Sequence, residues 1–173
     1  MNRPHIALIG PARAGKDTTA HILTEDYGYH RMAFADRLRE FVTTIDPHYA
    51  DLVLLEGGYE AAKTHQPEIR ARLVDVGDAA RTHIHSHVWI DALDRDWPRD
   101  GTPVVVTDVR HPNEVDYLGG CWFIRVVRPG CYEPTPKVPG GTYIIDNNGS
   151  VDELRAAVHT AMATWNEWFD AHR

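Results

Sequence analysis

Apolar residues along the chain fall into short continuous runs separated by longer stretches in which they recur at helical spacing. The run HIALIG, closed by Gly10, predicts a strand. From Lys16 to Glu25 the pattern turns helical, with Ala20 and Leu23 inward. YHRMAF predicts a second, weaker strand, and ADRLREFVTTI a helix presenting Leu38, Phe41, Val42 and Ile45 on one face. Between Pro47 and Trp97 no run reads as a strand; EIRARLVDVGDAARTHI and HVWIDALDRDW predict helices there. TPVVVTDV is the clearest strand, its unbroken β-branched residues suiting a central position covered on both faces. NEVDYLGG predicts a short helix closed by glycine, and CWFIRVV and TYIID two further strands. Four prolines and three glycines between Pro129 and Gly141 make an irregular flap. Ser150 is placed to cap a final helix from Val151, with Glu153 at the capping-box position.

Strands alternating with helices predict a three-layer α/β fold with a five-stranded, mostly parallel sheet. The expected organisation is a single domain: a core over 1–45 and 98–173, a helical insertion over about 46–97 and a lid over about 129–141. At 173 residues the chain can bury roughly 70% of its unfolded surface, so a true core is expected. No apolar run approaches the roughly 20 residues of a membrane span, and MNRPHIALIG is too short for a secretion signal. A cytoplasmic protein without membrane partners is therefore expected. The net charge of −7, with dispersed basic residues, disfavours polymeric nucleic acid as a partner. Only three of the 18 basic residues are lysines: Lys16, Lys63 and Lys137.

The first of those lysines ends the chain's most informative stretch, GPARAGKDT. A polyphosphate needs many close donors, and a loop whose amides face inward at a helix N-terminus supplies them with the positive end of the helix dipole. Gly10 and Gly15 permit the wrapping, Ala14 lies within it, and Lys16 is expected to reach the outer phosphates. Asp17 stands where such loops place a serine or threonine that ligates magnesium. It is expected to hold the metal through water, leaving Thr18 and Thr19 as hydroxyl donors. Arg13 is expected to reach over the transferring group.

In order, GPARAGKDTTA, FADRLRE, VGDAAR, VVVTDVRHPNEVDYLGG, IRVVRPG and IDNNGS resemble the P-loop nucleoside monophosphate kinases, specifically the bacteriophage-type deoxynucleoside monophosphate kinases. The resemblance covers most of the chain and implies a P-loop NTPase fold, ATP as phosphoryl donor, Mg2+, and small-molecule nucleotides as partners. It implies acceptor-side roles for Arg39 and Arg81, and for Asp108, Arg110, Asn113 and Glu114 around the strand end at TDVRHPNE. It also puts Asn147, Asn148 and Gly149 against the donor adenine, where a plain turn before the capped helix suits them almost as well. The residues leave alternatives beside several of these. Asp36 suits an N-cap as well as a substrate contact. Arg39 suits a solvated surface, Arg81 an ion pair, and Trp89 a core position as well as a stacking face for the acceptor base. Asp108, at the C-terminal end of a central strand, suits hydrated magnesium or the acceptor, or else a turn cap with Arg110 pairing to Glu114.

Arg128 at the flap's entrance and Lys137 inside it are its candidate catalytic cations. The flap departs from the family in carrying no other arginine, which leaves a lid-borne catalytic arginine in question. Cys121 and Cys131 read as free thiols. His83 and His87, four apart in HIHSH, would suit zinc only with a third ligand; a surface or interface role fits better. A homodimer through the helical insertion is compatible with this composition. Two other functions fit the loop: a dephospho-coenzyme A kinase, and a non-catalytic ATP-binding assembly module.

Overall fold

In the computed structural model of the protein, which describes residues 3–172, the apolar runs become β1 (Ile6–Ile9), β2 (His30–Met32), β3 (Val104–Val106), β4 (Trp122–Val127) and β5 (Tyr143–Asp146). The helices are α1 (Lys16–Tyr27), α2 (Phe34–Ile45), α3 (Pro47–Leu55), α4 (Tyr59–His65), α5 (Pro67–His83), α6 (Val88–Asp96), α7 (Pro112–Tyr117) and α8 (Val151–Ala171). The strands form one sheet in the order β2-β3-β1-β4-β5, and every pairing is parallel. The fold is three-layer α/β, as expected, with no antiparallel strand among the described residues.

Register explains why the runs are continuous rather than alternating. Ile6 pairs with Val105, and Leu8 with Ile124; these four share a core with Ala20, Ile22 and Leu23 of α1 and with Leu154, Val158, Ala161 and Met162 of α8. Ala7, Ile9, Val104 and Val106 point to the other face and are equally buried. Both faces are thus covered, the condition of parallel strands. α8 starts at a capping box: the Ser150 hydroxyl accepts from the Glu153 amide, and the Glu153 carboxylate accepts from the Ser150 amide at 2.7 Å.

The described residues divide into two compact units, 3–33 with 98–172, and 34–97. The second is all helical and starts at Phe34 rather than at 46, because α2 packs on α3, α5 and α6. Leu38 and Val42 of α2 are buried there, whereas Phe41 and Ile45, expected on the same inward face, are 45% and 54% exposed. The apolar stripe is wider than the core it meets. No helix among the described residues is long and apolar enough to cross a membrane.

Candidate functional site

In a parallel sheet the crevice forms at the carboxyl ends of strands where chain connections diverge, here between β1 and its neighbours β3 and β4. The loop leaving β1 there is Gly10–Gly15, and it runs directly into α1. Its glycines are required by space as well as by torsion. A Cβ on Gly10, at φ 143°, would lie 2.2 Å from the Val126 carbonyl oxygen; one on Gly15, at φ 106°, would lie 2.3 Å from Asn147 Nδ2. Arg13 is the one non-glycine with positive φ among the described residues, at 63°, a conformation that costs an ordinary side chain about 1–2 kcal/mol. Its side chain is exposed at the loop's outer bend.

The loop is secured from below by Asn147, whose side chain is 6% exposed. Asn147 Nδ2 donates to the Ala14 carbonyl at 2.8 Å, and its backbone amide donates to Val127 at 2.8 Å. The side chain therefore ties the turn after β5 to the phosphate-binding loop. Asn148 and Gly149 are exposed. Asn147→Ala should weaken ATP binding by about tenfold and lower stability by about 1–2 kcal/mol, through loss of a buried hydrogen bond. Calorimetric titration and thermal melting check both.

Lys16 begins α1 and folds back so that Nζ donates to the Gly10 and Pro11 carbonyls, each at 2.8 Å. Burial holds its pKa below the usual lysine value, with the nearby Arg110 acting in the same direction; Asp17, Glu133 and Asp108 oppose both. Charges from the first turn of α1, from the segment after β3 and from the flap thus act on the ammonium, all within one unit. Around it, Asp17 is exposed and Thr18 half-buried in the first turn. Thr19 differs from expectation. It is fully buried, with its hydroxyl lacking a hydrogen-bond partner, because it shares the inward face of α1 with Ala20, Ile22 and Leu23.

At the end of β3, Asp108 is half-buried and Arg110 exposed. Glu114, 2% exposed, is committed to the turn between them and α7: its Oε2 accepts from the Arg110 amide at 2.7 Å and the His111 amide at 3.0 Å. Glu114 therefore shapes the loop through backbone bonds, and Asn113 is half-buried beside it in α7.

The flap brings an acid to the loop. Glu133 Oε2 accepts from the Ala12 amide at 3.0 Å, and Arg125 of β4 donates to the Thr135 hydroxyl two residues on. Arg128 and Lys137, the flap's candidate cations, are both exposed. Glu133, which touches the loop, is not among the residues the sequence reading singles out. Its signal was available: it is the one carboxylate between Pro129 and Gly141.

In the helical unit, Asp36 is the third residue of α2 and not its cap; its carboxylate pairs with Arg39 one turn on. The Arg39 guanidinium also lies over the Tyr59 ring, 4.8 Å from its centre. Arg81 is 3.4 Å from Asp78 on the same helix. Trp89 is 7% exposed, its indole N–H donating to the Gly77 carbonyl at 3.2 Å and its ring packing near Phe41. The ring is engaged in the core of its unit instead of being displayed for stacking. His83 ends α5 and His87 precedes α6, so they do not share a helical face. Cys121 and Cys131 are free, and burial pushes the Cys121 thiol up to about 12.

No group of three His, Cys, Asp or Glu is gathered to cage a metal among the described residues. Asp17 and Asp108 beside Lys16 suit a hydrated cation that arrives with a triphosphate, which needs few protein ligands.

No protein-family model matches the chain, and no curated protein matches it. Among solved structures, a gluconokinase from Sinorhizobium meliloti 1021 is similar over 99% of this chain and 99% of its own, at a TM-score of 0.50 and 17% identity. A sugar kinase from Janibacter sp. HTCC2649, in an unliganded structure, is similar over 91% of this chain and 92% of its own, at a TM-score of 0.43 and 16% identity. The first likeness shows a shared fold along the whole chain.

Proposed function

We propose that this protein transfers the terminal phosphoryl group of ATP to the phosphate of a deoxynucleoside monophosphate, yielding the diphosphate and ADP. The observation that carries the reading is the surroundings of Lys16: its ammonium sits on a glycine-framed loop and senses Asp108 and Arg110 from the end of β3. Transfer between two anions requires cations at the moving group and a positioned acceptor, more than it requires covalent chemistry. An acceptor phosphate is already an oxyanion at neutral pH, so one of its oxygens attacks the terminal phosphorus as the bridging oxygen departs with ADP. No general base is needed.

In this reading the loop amides and Lys16 stabilise the transferring group, with Arg13 over it, and Arg110 takes the acceptor phosphate. Asp17 and Asp108 would hold hydrated magnesium, which would offset charge on the phosphates. Thr18 serves as the hydroxyl donor at the loop, and Thr19 packs on the inward face of α1. The acceptor roles of Arg39 and Arg81 rest on the family resemblance alone.

The decisive experiment incubates the protein with labelled ATP, Mg2+ and each ribo- and deoxyribonucleoside monophosphate, with dephospho-coenzyme A and gluconate as hydroxyl acceptors. Diphosphate formed from a deoxynucleoside monophosphate is expected. Label passing to a hydroxyl acceptor alone would replace the acceptor assignment, and tight ATP binding without any product would make the chain a binding module.

A further inference from the structure

A loop built to receive phosphate oxygens leaves a partly buried ammonium and inward-facing amides in need of negative charge whenever nucleotide is absent. The flap supplies such a charge. Glu133 is exposed, yet its Oε2 reaches the Ala12 amide at 3.0 Å, and its charge acts on Lys16 in the direction that favours the ammonium. Asp17 also favours that ammonium, but it belongs to the first turn of α1, and Asp108 belongs to the end of β3. Glu133 comes from the longer of two stretches without helix or strand, 128–142, against 107–111 for Asp108.

The flap is tethered just beyond this contact. Pro134 fixes the backbone immediately after Glu133, and Thr135 beyond it accepts from Arg125 of β4. Beneath lies a cleft of about 420 Å3 whose lining includes Pro11, Arg125, Val127, Tyr132, Glu133 and Thr135. The flap therefore touches the loop through a polar strap across open space and is not packed down upon it. Tyr132, next to Glu133, is 88% exposed, so little apolar burial opposes lifting the strap.

We infer that Glu133 is an internal competitor for the phosphate-binding loop, a carboxylate that occupies part of the anion cradle until a triphosphate displaces it. The inference rests on the phosphate-binding reading of the loop. It adds a self-inhibitory contact: ATP binds only to molecules in which the strap has opened, so the observed affinity is the intrinsic one reduced by the open fraction. Displacement exchanges one carboxylate for several phosphate oxygens on the same donors, and it frees the flap as nucleotide arrives.

Calorimetric titration of the full chain with ATP and with inorganic tripolyphosphate tests this. Glu133→Gln keeps an acceptor for the Ala12 amide and removes the charge; Glu133→Ala removes both. A charge-assisted bond near solvent biases such an equilibrium by roughly five- to twentyfold, so ATP should bind that much more tightly to the alanine variant, with glutamine intermediate. Tripolyphosphate should gain by the same factor, since the competition is for phosphate and not for base. Unchanged or weaker ATP binding by the alanine variant, with the wild type binding normally, overturns the inference and spares the loop assignment. A gain with ATP but none with tripolyphosphate also overturns it. No binding of either ligand by any of the three proteins removes the loop assignment and the inference together.

Discussion

Lys16→Met should lower ATP-dependent transfer about 10³-fold or more while the melting temperature stays within a few degrees of the wild type. The two halves have one cause. Lys16 is held in a partly buried setting where its charge is disfavoured, so the side chain contributes little net stability: its bonds to the Gly10 and Pro11 carbonyls are offset by the cost of burying the ammonium. Methionine fills nearly the same length without a charge. What it removes is the ammonium folded back against the loop, whose value grows as negative charge moves onto the oxygens between donor and acceptor. A variant that keeps substantial turnover would mean that the phosphoryl group travels elsewhere.

The same burial gives the wild type a pH signature. A lysine whose pKa is lowered loses its proton at a lower pH than an ordinary one, so the active ammonium form disappears as pH rises through that lowered value. The alkaline limb of kcat/KM, which reports free enzyme, should therefore fall below the ordinary lysine range of about 10.4. Bound phosphates favour the ammonium, so the corresponding limb of kcat should lie higher.

Much of this architecture was legible because the relevant physics is local. A parallel strand buried on both faces has to be apolar throughout, which is why IALI, VVV and WFIRVV stand out against their surroundings. The cap at Ser150 is legible for a similar reason, since its partners lie within one turn. Thr19 was misjudged although the information was present: at helical spacing it falls on the same side as Ala20 and Leu23, which leaves Thr18 at the loop. Asn147 and Glu133 are a different matter. Their partners, Ala14 and Ala12, are far away in the chain, and only the pairing of β4 with β1 and β5 brings the segments together. Trp89 and Phe41 show the limit of pattern alone, because periodicity marks an apolar face without saying which members the core has room to cover.

Gly10→Ala should be the most destabilising single-methyl change in the chain and should abolish nucleotide binding. Two penalties coincide at this position. The backbone has φ 143°, which side-chain-bearing residues rarely adopt, and the new Cβ would sit 2.2 Å from the carbonyl oxygen of Val126. Val126 is fully buried on β4, which is hydrogen-bonded on one side to β1 and on the other to β5, so the obstructing oxygen cannot swing aside as a flexible side chain would. The loop must move instead, and with it the amides that define the cradle. The expected loss is about 2–4 kcal/mol, or roughly 5–15 °C in melting temperature for a chain of this size. Gly57→Ala provides the contrast: it also has positive φ, at 78°, but nothing lies within 4 Å of its added Cβ. That change should cost only the torsional term, about 1–2 kcal/mol, and leave ATP affinity as it was. Thermal melting and ATP titration of the two variants thus separate close approach from torsion. If the Gly10 variant melts with the Gly57 variant and binds ATP as the wild type does, the packing of this loop against β4 is not what shapes the phosphate site.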